Sequence, residues 1–322
     1  MALYRYQITP LSAFSTPMRS DTLYGHLLWA AAMLHGEKRV TELIEAFVGE
    51  NPPFRLSSAF PSGQLPFPTL PGIPRRRFKE QFAGHGSLVE MLKQYKSFRK
   101  DSFWSFDDWR ENQGHVSQEG LFTHWLASAK NASPGNSPEP KVTRKNLPHV
   151  TIDRQTGSVL DQGGLFFSSA TWYRPGQTLD LYVETSEVES FETLLTHLAD
   201  TGFGADRSTG KGHFTFQRDD HFDPAPFARK GTHRLSLSVC AATETSAFAG
   251  YWNPFVKHGR TWSGFGERNP FKKPFLAFAE GSLFSAMPTS GYVLRNIHSD
   301  PKLVQIGWPL TIPVILEGHD AD

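Results

Sequence analysis

Apolar residues at Leu3, Tyr4, Tyr6 and Ile8 follow the short period of a β-strand, which Pro10 closes. After the polar turn Phe14 to Asp21 the period lengthens. Leu23, Leu27, Ala30, Ala31 and Leu34 recur on one helical face until Gly36, with Ser20 or Asp21 placed to cap the start. Val40, Leu43, Ile44 and Phe47 predict a second helix near Arg39 to Val48. Phe54 to Phe60 reads as extended chain, and five prolines between Pro61 and Pro74 then forbid regular structure. Extended pattern returns at Leu147 to Ile152 and at Leu165 to Tyr173, where Phe167, Ser169, Thr171 and Tyr173 share a face. Leu179, Leu181 and Val183 continue the sheet. Phe191, Leu194, Leu195 and Leu198 mark a further helix, with Ser186 and Glu189 as a capping box and Gly202 as its left-handed stop. A glycine-rich loop follows, then a short strand from His213 to Gln217.

Without its middle section, this part runs strand, helix, strand, strand, helix, strand, the βαββαβ order of a ferredoxin-like (RRM-like) domain. The expected class is α+β. Domain 1 covers 1–222, with an insertion at about 61–145 and the glycine-rich loop at 202–212; domain 2 covers 223–322. An insertion of that length marks a functional or mobile element. Within it Trp104, Trp109 and Trp125 read as packing residues, and Asn131 to Pro140 is expected to be disordered. In domain 2, Leu235, Leu237 and Val239 alternate as a strand, Phe275, Ala277 and Phe278 precede Gly281, and Leu303 to Leu316 gives one or two terminal strands.

Charge changes this picture only locally, because the 322-residue chain carries a formal net charge of +1. From Arg75 to Lys100, eight Lys or Arg face two Glu and are interleaved with Phe78, Phe82, Tyr95 and Phe98. Such a run is either a solvated face or a surface for a nucleic-acid backbone. A second cationic stretch, Lys257 to Lys273, reads as an RNA contact or a partner interface. Cys240 is a single cysteine inside an apolar run and fits a core position in a reducing compartment. No apolar run is long enough to span a bilayer and the N-terminus lacks a signal-peptide pattern, so a soluble cytoplasmic protein is expected.

Chemistry concentrates at Gly202 to Phe214. Four glycines let the backbone reach positive φ, and its amide donors, with the cationic and hydroxyl donors of Arg207, Ser208, Thr209 and Lys211, suit phosphate. A nucleotide P-loop is excluded: the order is helix, loop, strand, five residues separate Gly204 from Gly210, and Gly212 follows Lys211 where a hydroxyl residue belongs. A glycine-rich connection without a ligand is the other reading. Among thirteen histidines, His26, His149 and His213 are candidates for general acid–base work, but none stands in a diagnostic pair and no acidic cluster offers metal ligands. Asp153–Arg154 and Asp206–Arg207 read as structural salt bridges.

Three stretches carry a resemblance: Arg19-Ser20-Asp21-Thr22-Leu23-Tyr24-Gly25, then Val150-Thr151-Ile152-Asp153-Arg154-Gln155-Thr156-Gly157, then Gly202 to Gly212. Their order and spacing are similar to the RAMP superfamily of CRISPR systems, and within it to the Cas5-like subunits that hold the crRNA 5′ end in type III-A Csm effector complexes. His258 to Gly266, Lys272-Lys273-Pro274 and Glu280 to Phe284 extend the resemblance over nearly the whole chain.

The resemblance implies two ferredoxin-like domains, a glycine-rich loop on the repeat-derived 5′ tag of the crRNA, and a thumb-like β-hairpin reaching target RNA near the tag. It also implies docking to a Cas10-type large subunit and to a Csm backbone RAMP subunit, in a non-catalytic role without cofactor or metal. RNA contacts are expected from Arg19, Ser20, Arg144, Lys145, His149, Arg154, Gly204, Arg207, Ser208, Thr209, Gly210, Lys211, Gly212, Arg260 and Trp262. The alternative is a metal-independent RAMP endoribonuclease that processes CRISPR RNA.

Overall fold

The computed structural model describes residues 1–131, 142–160, 162–261 and 269–317 of a mixed α/β chain. Strand Ala2–Pro10 lies inside an antiparallel sheet, with Phe214–Arg218 on one side and Leu179–Thr185 on the other. Phe54–Leu56 and Phe60–Pro61 both pair with Leu179–Thr185. The spatial order is thus fourth, first, third, second, and alternation along the strands sends successive side chains to opposite layers. Tyr6, Ile8, Leu181 and Val183 are buried in one cluster with Leu23 and Leu27 of helix Ser20–Val48 and Phe191 and Leu194 of helix Val188–Thr201. On the opposite side Tyr182 is buried with Trp109, Leu235 and Ile312.

Helix geometry departs from the expected caps. Ser20–Val48 is one element broken at Gly36, which has φ 79° and ψ 178°, and its N-cap is Arg19, with no side-chain cap. Ser20 and Asp21 lie inside the first turn. Val188–Thr201 has Glu187 as N-cap with no side-chain cap, because the hydroxyl that accepts the Glu187 N–H, at 3.0 Å, belongs to Thr185 at the strand end. The Ser186–Glu189 capping box is not formed.

Between Pro61 and Leu179 the chain builds two additions. Helices Arg75–Phe82, Leu88–Phe98 and Gln118–Asn131 enclose Phe78, Phe82, Met91, Phe98 and Phe122. The aromatics of the basic run are therefore core, and its cations form the solvated face, as in the Arg76–Glu80 pair at 2.9 Å. Trp109 is fully buried and donates from Nε1 to the Pro313 carbonyl at 3.1 Å, a packing role. Residues 132–141, on which the expected disorder falls, lie outside the described residues.

The second addition is a hairpin. Leu165–Tyr173 pairs along its length with Val142–Val150 and not with the main sheet; a bridge between Thr171 and Phe14 and the packing of Tyr173 on Phe14 tie it to the segment after the first strand. The main sheet's second position is already filled by Phe54–Leu56.

The second half is a sheet ordered Ala249–Tyr251, Leu283–Ala286, His233–Ser236, Thr311–Leu316, His115–Val116, the last strand coming from the insertion and running parallel to its neighbour. Among the described residues after Arg218 there is no α-helix, only a short 3-10 turn at Ala225–Ala228. A second βαββαβ unit is not what these residues form. Past Gly250, glycine or proline recurs at least every ten residues, too often for a helix of ordinary length.

Candidate nucleic-acid interface

The glycine-rich loop is held from below by the segment that leads into the long helix. Gly212 N–H donates to Ala13 O at 2.9 Å, Ala205 N–H to Thr16 Oγ1 at 3.0 Å, and His213 N–H to Ser12 Oγ at 2.9 Å. Gly204 N–H donates to His26 Nε2 at 3.1 Å, and the imidazole packs on Phe203 with ring centroids 4.8 Å apart. Gly202, Gly204, Gly210 and Gly212 all have φ between 77° and 83°. At Gly212 the requirement is absolute, since a Cβ would lie 2.0 Å from Phe203 O.

Three amides at the loop's end are spent inside the loop and not left for a ligand. Thr209 N–H and Lys211 N–H both turn inward to Asp206 O, and Gly210 N–H goes to Arg207 O. On the outward face Ser208, Thr209 and Gly210 are exposed, and Arg207 and Lys211 half-buried. Asp206, at φ 60°, accepts from Lys211 Nζ at 3.1 Å and from Ser15 Oγ at 2.9 Å. Burial alone would raise its carboxyl. The Lys211 and Ser15 bonds outweigh burial and hold it below the usual carboxylate range. The ion pair of Asp206 is thus with Lys211, and Lys211 serves first to close the loop. Asp153 likewise spends its carboxylate on a turn, accepting from Gln155 N–H at 2.7 Å.

The hairpin stands beside this crest. His149 is near enough to act on the Asp206 carboxylate, stacks on Phe166 at 5.1 Å, and shares a 2.6 Å hydrogen bond with Ser168 Oγ. Arg144, opposite Thr171, acts on Tyr173, whose hydroxyl is pushed up by burial and drawn back by the guanidinium. Arg144, Lys145 and Arg154 are exposed. Loop and hairpin thus bring Arg144, Lys145, His149, Gly204, Arg207, Ser208, Thr209, Gly210, Lys211 and Gly212 to neighbouring elements, joined through Ser12 to Thr16.

The remaining expected residues go elsewhere. Arg19 forms a two-pronged pair with Glu280, at 3.0 and 2.5 Å, and lies 4.7 Å over the Phe255 ring. Ser20 is fully buried; its hydroxyl accepts the Val239 N–H at 2.8 Å, so it offers no surface to RNA, a correction that the pattern of a helix start cannot supply. Arg260 is exposed in the second half, its guanidinium 4.6 Å over Phe271. Trp262 lies outside the described residues. In the same cationic stretch, Lys257 pairs with buried Asp21 at 2.7 Å. Lys272, its ammonium pulled down to about 8 by burial, donates to Val304 O and Gln305 Oε1.

Sequence reasoning missed Ser12, Ser15 and Thr16 as the floor of the site. Their signal is the hydroxyl-rich run ahead of the long helix, which reads equally as an ordinary polar turn. Among the described residues no group of three or more His, Cys, Asp or Glu could hold a metal ion, and no helix is long and apolar enough to cross a membrane.

The family model of the RAMP superfamily matches residues 12–215. A curated relative, the CRISPR system Cms protein Csm4 of Thermococcus onnurineus (strain NA1), is 27% identical over 294 residues, covering 88% of this chain and 86% of its own. Among solved structures, a Csm1-Csm4 cassette in complex with pppApA matches with TM-score 0.57 at 22% identity, over 98% of this chain and 100% of that one. A Csm3-Csm4 subcomplex of the type III-A CRISPR-Cas interference complex matches with TM-score 0.62 at 15% identity, over 96% and 99%.

Proposed function

This chain belongs to the RAMP superfamily, and from that premise we propose that it is a Csm4-type, non-catalytic subunit of a type III-A CRISPR effector complex that grips and caps the 5′ tag of the crRNA. The observation that carries the reading is the glycine loop, whose backbone is fixed from beneath while Arg207, Ser208 and Thr209 remain on its crest, with the hairpin of Arg144, Lys145 and His149 bridged to Phe14 in the same supporting segment. Rigid placement of cations and hydroxyls suits the phosphates of a single strand, which position the RNA, while base edges are left for other groups to read. The similar Csm4-containing assemblies support a Cas10-type large subunit and a Csm backbone RAMP subunit as its partners, in the cytoplasm.

In this reading 1–222 is a ferredoxin-like domain and 223–322 a strand-built variant of one. The hairpin Val142–Val150/Leu165–Tyr173 is the thumb-like element that approaches target RNA near the tag. The test is co-expression with a full set of Csm subunits, purification, and sequencing of bound RNA. Guide RNAs sharing one 5′ repeat fragment are expected, and Arg207→Ala should lower their retention at low salt and make it fall less steeply as salt rises, because one phosphate contact is lost. RNA cleavage by the isolated, nuclease-free protein would overturn the reading in favour of a processing endoribonuclease.

A further inference from the structure

A groove of about 450 Å³ opens between the two helices of the first half. His26, Trp29 and Met33 of Ser20–Val48 line one wall, His197 and Thr201 of Val188–Thr201 the other, and Arg207 of the glycine loop closes the end. The volume falls in the range of roughly 300 to 1,000 Å³ typical of small-ligand clefts.

His26 gives this groove a donor of fixed identity. Its Nε2 accepts the Gly204 N–H, so that nitrogen bears the lone pair. Burial, with help from the Arg207 charge, pulls the ring down to about 4, so at neutral pH the imidazole is uncharged and its one proton sits on Nδ1. Trp29 and His197 add flat π surfaces and Arg207 a guanidinium. An aliphatic occupant would leave the imidazole N–H without a partner, whereas a planar heterocycle with acceptor atoms uses all of these features.

We propose that this groove takes one unstacked nucleobase of a single-stranded RNA, whose adjoining phosphate lies at Arg207 and Ser208. The proposal rests on the reading of the glycine loop as an RNA grip and extends it from phosphates to a base.

The experiment uses the full chain and octauridylate RNA, with 4-thiouridine placed at one position at a time. Photo-crosslinks from a single position to peptides containing residues 26–33 or 197–201 are expected. The second measurement uses Thr201→Trp, since Thr201 is exposed at the rim and the added indole occupies the groove mouth without entering the core. Affinity for the octamer should fall about tenfold at an unchanged salt slope and an unchanged Tm. Salt-dependent binding with full affinity in Thr201→Trp, and crosslinks only to other peptides, overturns the groove while leaving the loop reading intact. No binding of the octamer by the wild-type chain at low salt overturns both.

Discussion

Gly210 and Gly212 share a left-handed backbone, φ 83° and 77°, yet their surroundings differ completely. A Cβ at Gly210 meets nothing within 4 Å, whereas at Gly212 it meets Phe203 O at 2.0 Å and Phe203 N at 2.7 Å. Gly210→Ala should therefore lose only about 1 kcal/mol, the conformational cost of placing a Cβ at positive φ. Gly212→Ala should lose about 3 kcal/mol, because strain is added to a backbone clash that no side-chain rotation relieves. Urea denaturation of the two variants checks the difference.

His26 sets the pH behaviour of the same loop. Its ring is held near 4, below the ordinary histidine value of 6.5, mainly by burial. An unfolded chain binds that proton from pH 6.5 downward and the folded one does not, so the contribution is full above about 6.5 and is lost as the pH falls towards 4. The loss should reach about 3 kcal/mol at one pKa unit per 1.4 kcal/mol. His26→Gln, which can still accept from Gly204, should flatten that slope in a denaturation series from pH 7 to pH 4.

At the scale of elements, the hairpin is separable from the rest. Its outer half exposes Val150, Ile152, Leu165, Phe166 and Phe167, the last at 63%. These side chains contribute little to folding because little of them leaves water. Replacing 150–165 by a two-residue turn should leave Tm unchanged in a calorimetric scan, while crosslinks from the assembled complex to target RNA near the tag disappear.

Leu165–Tyr173 also marks what the sequence made legible. Its boundaries follow from period-two alternation, but its pairing does not, since alternation says which residues share a face and not which strand lies alongside. The glycine loop behaves in the same way. Its left-handed positions are legible in the glycines themselves, whereas the fate of its amides depends on Ala13, Thr16 and His26, about 180 to 200 residues earlier in the chain. The helices of the first half are legible from their apolar faces; Ser20 does not cap because it is drawn into a contact across the molecule with Val239, and the Ser186–Glu189 box does not form because the helix takes Glu187 as its N-cap.

For the whole molecule, the decisive feature is how the halves meet. One buried cluster holds Leu23, Leu27 and Phe54 together with Cys240, Phe278 and Trp308, and Trp308 Nε1 donates to Phe47 O at 2.8 Å. Ser58 N–H reaches Leu237 O at 2.8 Å, and His115–Val116 of the insertion completes the second sheet. Each half exposes a large apolar face if the other is removed, so 1–222 and 223–322 should not fold separately, and the chain should melt in a single calorimetric transition. Glu280 sits at this seam, taking both prongs of Arg19 and the Ser58 hydroxyl. Glu280→Gln keeps the shape but removes the charge that Arg19, only 29% exposed, needs for compensation. A loss of about 2 kcal/mol is expected, with the transition still single. Two resolved transitions, in the wild type or in Glu280→Gln, would mean that the halves hold their own cores and that the seam only orients them.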